Sequence, residues 1–212
     1  MGFFRRFSRG ELGLGRVEAF SDGVFAIVVT LLVLDLKVPA LSNPSDVGEL
    51  GRQLIALAPK FLSWLISFII VAKFWLNHHH LLRMARYGNY ALIWINSIFL
   101  MFQSLVPFPT AMMGEYPANP LAVSFFGAVM AINSLLFIWL QAYISRNLLK
   151  PEYVGSEDPH AILKGFAGPL GYLVGAGLAW VFLPLAFVAY ALTPLFYIVP
   201  PGPNREIKTA KP

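Results

Sequence analysis

The sequence predicts an all-α membrane protein that crosses the bilayer several times, and two observations support this fold class. Of the 212 residues, 57% are hydrophobic and 13% are charged, with a mean hydropathy of +0.64, whereas about a quarter of the residues in a soluble domain are charged. The apolar residues also occur in runs of about 20, the length that one helix needs to cross the hydrocarbon core. This composition excludes a soluble domain.

Six apolar runs predict six transmembrane helices. No repeat of 20–50 residues and no soluble segment separates them, so we predict a single six-helix domain over residues 1–212. Clusters of Pro and Gly predict the turns, at "VPALSNP", "VPFPT", "EYPANP" and "PPGP". The basic N-terminal stretch lacks the pattern of a removable signal peptide, so we expect the first helix to be retained. The predicted helices lie near residues 17–37, 54–76, 89–109, 120–143, 161–182 and 184–199.

The positive charges predict the orientation of the helices. Short cytoplasmic loops carry an excess of Lys and Arg, and one side of the predicted bundle holds most of these residues. We therefore expect a multi-pass protein of the cell (inner) membrane with both termini in the cytoplasm. The basic residues lie in short loops rather than on one soluble face, so the net charge of +5 indicates lipid headgroups rather than nucleic acid as partners. The proposed cytoplasmic side holds Arg5, Arg6, Arg9, Arg16, Arg83, Arg86, Arg146, Lys150, Lys164, Arg205, Lys208 and Lys211, and the opposite side holds Lys37, Arg52 and Lys60.

The first predicted helix carries a carboxylate next to its apolar run. In "AFSDGVFAIVVTLLVLDL", residues 19–36, Asp22 precedes the apolar segment, and an ionisable side chain in the bilayer is costly unless a partner is present. At helical spacing, Ile27, Leu31 and Leu34 form one stripe with Thr30 beside it, and Asp22 points to roughly the opposite side. From its spacing alone, this stripe could equally be an ordinary surface that faces lipid or another helix.

Partners for Asp22 are expected on the next two helices. The second helix ends in "KFWLNHHHLLR", where Trp75, His78 and His79 share one face near the cytoplasmic end. The third helix starts from that side and places Asn96 about two turns in. We therefore predict one buried polar cluster of the carboxylate, an imidazole and the amide, with either His78 or His79 as the partner of Asp22.

Several of these features have alternative interpretations. Ser21 and Asp22 could cap a helix that begins at Gly23, and the three consecutive histidines could form a simple interfacial cluster. A metal site is disfavoured, because successive histidines on a helix point in different directions and no His-Glu-x-x-His motif is present. Gly171 and Gly175 form a small-xxx-small pair typical of helix packing. The sequence has no cysteine and no motif typical of a catalytic nucleophile or a phosphate-binding loop, so we do not predict an enzyme.

The first helix resembles that of the prokaryotic relatives of the endolysosomal potassium channel. The signature of that family is an Arg followed by Phe-Ser-Asp, which here corresponds to Arg16, Phe20, Ser21 and Asp22 in "RVEAFSDGVFAIVVTLLVLDL". The stretch "FWLNHH" and the pattern "N...LVPFPT", which begins at Asn96, are also similar to the family. The resemblance extends over at least the first three helices.

The resemblance implies a potassium-selective cation channel with weak to moderate selectivity. Four copies of the first helix would line the central pore of a homotetramer that lacks the Thr-Val-Gly-Tyr-Gly filter. The family's apolar constriction corresponds to Ile27, Leu31 and Leu34, with a selectivity layer at Thr30. No cofactor is implied, and the ligands are permeant K⁺ and other monovalent cations.

The same resemblance implies that the Arg and Phe-Ser-Asp residues, with a histidine of the second helix, hold the pore helix in position. Asp22 would then anchor the helix from behind and would not touch the ion. Two other functions compete with this one. A proton-coupled secondary transporter could use an Asp22–His pair, although the sequence shows neither an inverted repeat nor paired broken helices. A membrane enzyme could use His78 and His79.

Overall fold

The computed structural model describes residues 13–154 and 161–194, without the side chains of residues 161 and 162. Within these ranges nearly every residue outside the short connections is helical and no extended strand occurs, which confirms the predicted all-α class. Among the described residues, four helical segments are long and apolar enough to cross a membrane: Leu14–Asp35, Ala58–Met84, Tyr90–Glu115 and Pro120–Asn147.

Nine α-helices and two short 3-10 turns follow one another in the described part of the chain. A 3-10 turn, Leu32–Asp35, directly follows the first helix, and a second one, Pro151–Tyr153, follows the helix that ends at Asn147. The helices are α1 (Leu14–Leu31), α2 (Val47–Ala56), α3 (Ala58–Met84), α4 (Tyr90–Leu105), α5 (Pro107–Glu115), α6 (Pro120–Asn147), α7 (Ala161–Gly165), α8 (Ala167–Leu178) and α9 (Leu183–Leu192).

The second predicted helix, residues 54–76, is shifted and divided in the structure. A separate short helix, α2, precedes it, and the Asp46 side chain caps α2 by accepting hydrogen bonds from the backbone N–H groups of Gly48 and Glu49. No residue of α2 is buried. Its sequence is too polar to stand out as an apolar run, so the hydropathy pattern did not predict a separate helix. The transmembrane helix α3 begins at Ala58, with Pro59 in its first turn, and continues through the three histidines to Met84.

The predicted turn at "VPFPT" is wrong. Val106 has helical backbone angles, and Pro107 occupies the first position of α5, where its missing N–H removes no intrahelical hydrogen bond. The third span therefore continues to Glu115 instead of ending near residue 109. The turn follows it, and Asn119 caps α6 through the N–H groups of Leu121 and Ala122.

The stretch predicted as the fifth helix, residues 161–182, contains two shorter helices, α7 and α8, and the stretch predicted as the sixth, residues 184–199, contains most of α9. None of these three belongs to the four long apolar segments of the described residues. Residues 195–199 lie outside the described part of the chain. Gly175 of α8 faces Tyr190 of α9 so closely that an added Cβ would lie 2.8 Å from the Tyr190 Cδ1 atom. Tyr190 is fully buried, and its hydroxyl donates a hydrogen bond to the Val123 carbonyl of α6 at 2.9 Å. The glycine pair on α8 therefore serves close packing.

Main-chain contacts join the ends of α3 and α6. The Arg86 N–H donates to the Leu148 carbonyl at 2.7 Å, and the Lys150 N–H donates to the Met84 carbonyl at 3.0 Å. These bonds flank an isolated antiparallel bridge between Ala85 and Leu149. The two helices thus end at the same side of the bundle, which is the side that the charge distribution predicts to be cytoplasmic.

Helix α1 lies at the edge of this bundle, against α3 and α4. Its buried side consists of Val17, Ser21, Phe25 and Val28. The remaining surface of α1 is exposed or half-buried in the single chain. The fold therefore fixes one side of α1 and leaves the other side accessible to a partner, to lipid or to water.

Candidate functional site

The apolar stripe predicted to form the constriction is exposed, with Ile27 and Leu31 on α1 and Leu34 in the 3-10 turn that continues it. The exposed fractions of Ile27, Leu31 and Leu34 are 59%, 42% and 68%. Thr30 is exposed beside them, and its hydroxyl lies within hydrogen-bond distance of the Ala26 carbonyl at 3.0 Å and the Ile27 carbonyl at 2.9 Å. This donation to the helix's own backbone leaves the lone pairs of the Thr30 oxygen available as acceptors.

A chain of buried hydrogen bonds holds the opposite side of α1. Ser21 Oγ donates to the Val17 carbonyl at 2.8 Å and accepts from Asn96 Nδ2 of α4 at 3.0 Å. Asn96 Oδ1 lies 2.7 Å from His78 Nε2 of α3. Because an amide oxygen can only accept, His78 Nε2 is the donor. Ser21, Asn96 and His78 are each at most 2% exposed, so this chain links three helices inside the protein.

Aromatic rings enclose the imidazole of this chain. The Phe99 ring of α4 stacks on His78 with a centroid distance of 5.8 Å and an interplanar angle of 13°. The Phe25 ring of α1 lies 5.5 Å from the same imidazole. Hydrogen bonds in such an apolar environment are electrostatically stronger than in water, and an unpaired polar group there is costly. The sequence-based interpretation did not include Phe25 and Phe99, although Phe25 follows Ser21 and Phe99 follows Asn96 by one helical turn.

A second contact joins α1 to α3 at the surface. Trp75 Nε1 donates a hydrogen bond to Asp22 Oδ1 at 2.8 Å. The His79 ring stacks on the Trp75 indole with a centroid distance of 6.1 Å and an interplanar angle of 28°. Asp22 is exposed in the single chain and Trp75 is 40% exposed, so this pair is not part of the buried chain.

The prediction of one cluster that contains Asp22, a histidine and Asn96 is therefore corrected. The structure has two separate contacts, because Ser21 and Asp22 are consecutive and their side chains diverge by about 100° around the helix. Ser21 points to α4 and takes the buried place that was expected for the carboxylate. Within the described residues, the hydrogen-bond partner of Asp22 is Trp75 and neither histidine.

Two further expectations concern the start of α1. The capping interpretation of Ser21 and Asp22 is wrong, because both lie well inside a helix that starts at Leu14. Arg16 and Phe20 are exposed on α1 and belong to neither contact in the described part of the chain. Among residues 13–154 and 161–194, no group of three or more His, Cys, Asp or Glu side chains is arranged to hold a metal ion.

Comparison of the chain with known proteins identifies its family. The model of the family described as "Endosomal/lysosomal potassium channel TMEM175" matches residues 16–107, the range that contains every residue of both contacts and of the apolar stripe. A protein of Streptomyces collinus described as a potassium channel is 36% identical over 200 residues, which cover 91% of this chain and 96% of that protein. The chain belongs to the TMEM175 family.

A solved structure of another TMEM175 homologue has the same fold. The crystal structure of a lysosomal potassium-selective channel TMEM175 homologue from Chamaesiphon minutus matches with a TM-score of 0.73 and 32% identity, over 86% of this chain and 95% of that one. The human TMEM175 protein, described as an endosomal/lysosomal proton channel, is 37% identical over 110 residues, which cover 50% of this chain and 22% of that protein. The likeness to the prokaryotic relatives thus extends over nearly the whole chain.

Proposed function

We propose that this TMEM175 family member is a potassium channel of the cell (inner) membrane and that four copies of α1 line its pore. One observation carries the proposal. Ile27 and Leu31 of α1 and Leu34 of the 3-10 turn that continues it are exposed, while hydrogen bonds from two other helices hold the other side of α1. The descriptions of the Streptomyces and Chamaesiphon proteins as potassium channels support K⁺ as the permeant ion.

The apolar stripe would act as the gate. When four copies surround one axis, rings of Ile27, Leu31 and Leu34 form a narrow apolar passage, which resists ions because water leaves it. Rotation or outward movement of α1 widens the passage and admits hydrated or partly hydrated cations. Such a gate requires neither a carbonyl filter nor a cofactor.

Thr30 is the candidate for ion selection. Its hydroxyl oxygen lies between the levels of Ile27 and Leu34 on the same side of α1. Four such oxygens in a homotetramer would replace part of the hydration shell of a passing cation.

The polar contacts of α1 would hold the pore helix in position. Ser21 fixes α1 against α4 through Asn96, and Asp22 fixes it against α3 through Trp75. Asp22 lies roughly opposite the apolar stripe and would not contact the ion. Arg16 and Phe20, which are exposed in the single chain, would complete this arrangement at contacts between subunits.

The transporter alternative required a proton-carrying pair of Asp22 and a histidine. In the described structure Asp22 accepts from Trp75 and His78 donates to Asn96, so this pair has no support. The channel proposal further includes six crossings in each subunit and cytoplasmic termini. The distribution of Lys and Arg supports this topology.

Single-channel recording tests the function. The purified protein in a planar bilayer with a K⁺ gradient should give unitary currents, and with K⁺ on one side and Na⁺ on the other the reversal potential should show a weak to moderate preference for K⁺. Chemical cross-linking in the same membranes should stop at four subunits. Saturable flux with a fixed stoichiometry to protons, in the absence of unitary currents, would instead show a transporter.

A further inference from the structure

An ion pair joins α3 and α5 at the end of the bundle that lies away from the three histidines. The Lys60 Nζ atom contacts the carboxylate of Glu115, which is the last residue of α5. Lys60 is the third residue of α3, and the histidines lie near the other end of the same helix. The side chains of Lys60 and Glu115 are 19% and 51% exposed, so the pair lies at the rim of the bundle.

The two helices approach each other closely beside this pair. A Cβ atom added at Gly114 of α5 would lie 3.1 Å from the Cα atom of Lys60, so a larger side chain there would push against the main chain of α3. Further into the bundle, the hydroxyl groups of Ser67 and Thr110 share a buried hydrogen bond of 2.8 Å. The start of α3 and the whole of α5 are therefore held together at two levels.

The end of the proposed pore helix rests against these two helices. The 3-10 turn Leu32–Asp35, which follows α1, packs against both α3 and α5. Leu32 is 2% exposed and fixes the inner side of the turn in the core, whereas Leu34 is 68% exposed. The turn thus connects the last residue of the apolar stripe to the contact between α3 and α5.

Four charges of alternating sign surround this contact. Asp35 of the turn lies within electrostatic range of Lys60, and Lys37 lies within electrostatic range of Glu115. Opposite charges attract each other more strongly where protein replaces part of the surrounding water. A partly exposed ion pair nevertheless contributes little to global stability, so its effect should be sought in the position of the turn.

We propose that Lys60 and Glu115 are positioning residues that hold the outer end of α1 through Asp35. The bond between Lys60 and Glu115 fixes the cation, and its attraction to Asp35 then fixes the turn. The contacts of Ser21 and Asp22 hold the other half of α1, so the helix is attached at two levels. The consequence for the pore rests on the proposed channel function, because it concerns the ring of Leu34 side chains.

Hydrogen–deuterium exchange tests this anchor without any ion current. The Leu36 N–H donates to the Val33 carbonyl and the Lys37 N–H donates to the Asp35 carbonyl, both at 3.0 Å. Exchange of these two amides therefore reports local opening of the turn. The measurement uses the full-length protein in nanodiscs, with mass spectrometry of the peptides that contain residues 33–37.

Two single variants should release the turn. Asp35→Asn removes the charge that Lys60 attracts and leaves the pair of Lys60 and Glu115 in place, and Lys60→Met removes both attractions. We expect several-fold faster exchange of the turn in each variant, with unchanged exchange in the buried part of α1. Arg52→Gln is the matched control, because it removes an exposed charge of α2 and should leave the turn unchanged.

Reversal of charges separates an anchor of α1 from a bond that serves only α3 and α5. The double variant Lys60→Glu/Glu115→Lys restores an ion pair between the two helices but places like charges next to Asp35 and Lys37. We expect its turn to exchange fast. Adding Asp35→Lys and Lys37→Glu inverts all four charges and should restore slow exchange, with thermal unfolding as the check that each variant is folded.

Wild-type exchange in the folded Asp35→Asn variant would overturn the proposal. Slow exchange in the double variant would also overturn it, because the ion pair would then act between α3 and α5 alone. In single-channel recordings Asp35→Asn should raise the baseline open probability several-fold, since a released turn lets Leu34 move away from the pore axis. An unchanged open probability would overturn the role of the anchor in the pore. A wild type without unitary currents would instead refute the proposed function and leave the exchange results as they are.

Discussion

Asn96 of α4 donates a hydrogen bond to Ser21 of α1, from Nδ2 to Oγ over 3.0 Å. The same amide accepts a hydrogen bond from His78 of α3 at 2.7 Å. One side chain thus connects the proposed pore helix to both helices on which it packs. A change at Asn96 should therefore affect the whole arrangement of α1.

Asn96→Ala should lower stability, because it leaves the buried His78 Nε2 donor without a partner. An unsatisfied buried group of this kind costs about 1–3 kcal/mol. Thermal unfolding in detergent, followed by tryptophan fluorescence, measures the change. Asn147→Ala is the control, since Asn147 is exposed and donates only to the Tyr143 carbonyl of its own helix among the contacts described. Equal melting temperatures for the two variants would contradict the role of Asn96.

A double-mutant cycle tests the contact between Asp22 and Trp75. Asp22→Ala and Trp75→Phe each remove the hydrogen bond from the indole N–H, so their effects on stability should not add. We expect a coupling energy above the roughly 0.5 kcal/mol of independent sites. A second cycle, Asp22→Ala with His78→Ala, should show a smaller coupling energy, because these side chains belong to different contacts. A larger coupling energy for Asp22 with His78 than with Trp75 would instead support the Asp22–His pair.

Asp22→Ala also distinguishes an anchoring residue from a charge at the pore mouth. An anchoring residue should alter gating or assembly, which single-channel open probability and the oligomer yield measure. A pore-mouth charge would lower only the conductance, and high salt would remove the difference from the wild type. We expect the first result.

Ile27→Asn should raise the baseline K⁺ current several-fold. A polar amide makes the apolar ring wettable, and the barrier to ion entry then falls. Leu31→Asn and Leu34→Asn should act in the same direction with smaller effects. The control is Leu135→Asn. This side chain is 45% exposed, like those of the stripe, but it lies on α6 and is not part of the proposed pore surface. An unchanged current in an assembled Ile27→Asn channel would place the gate elsewhere.

Thr30→Val keeps the shape of the side chain and removes the hydroxyl. If this oxygen coordinates partly dehydrated cations, the K⁺/Na⁺ permeability ratio should decrease while conductance persists. Thr30→Ser retains the hydroxyl and should retain the ratio. Reversal potentials under bi-ionic conditions measure both variants, and identical potentials for Val and Thr would remove Thr30 from ion selection.

Gly175→Ala should destabilise the contact between α8 and α9 by about 1–3 kcal/mol. The added methyl group would overlap the Tyr190 ring, and this ring is held by its hydrogen bond to Val123. Gly177→Ala is the matched control on the same helix, because an added Cβ there meets no atom within 4 Å. Chemical denaturation of the two variants should give changes of different size, with little or no loss of stability for Gly177→Ala.

Hydropathy predicted where the four long apolar segments of the described residues lie, because it follows from local sequence, although the bounds of the second and third differ from the prediction. Proline clusters did not always correspond to turns between helices. Pro107 begins a helix that continues the third span, whereas the turn occurs at residues 116–119. Local sequence cannot distinguish these cases, since the difference depends on whether the preceding residue can keep helical backbone angles. The short helix α2 was missed because its residues are too polar for a transmembrane run.

The predicted polar cluster contained most of the correct residues but the wrong pairs. Periodicity places Ser21 and Asp22 about 100° apart on α1, and either could face α4 until the positions of α3 and α4 are known. An intramembrane charge needs a partner, which favoured Asp22 for the buried position, yet the smaller neutral hydroxyl of Ser21 occupies it. The sequence placed Trp75 on the face of its helix that meets α1. Its hydrogen bond to Asp22 could not be predicted, because that depends on the positions of the side chains.

In the proposed channel, the bridge between Ala85 and Leu149 would limit which helix motions can open the pore. If α3 moved lengthwise against α6, the main-chain hydrogen bonds between residues 84–86 and 148–150 would break. Piston motion of these two helices is therefore disfavoured, and they form a fixed frame for the rest of the subunit. Helix α1 is joined to its neighbours by side-chain hydrogen bonds, which can lengthen or exchange as the helix turns. In the proposed channel, torsion of α1 against this frame would open the pore without breaking main-chain hydrogen bonds between helices.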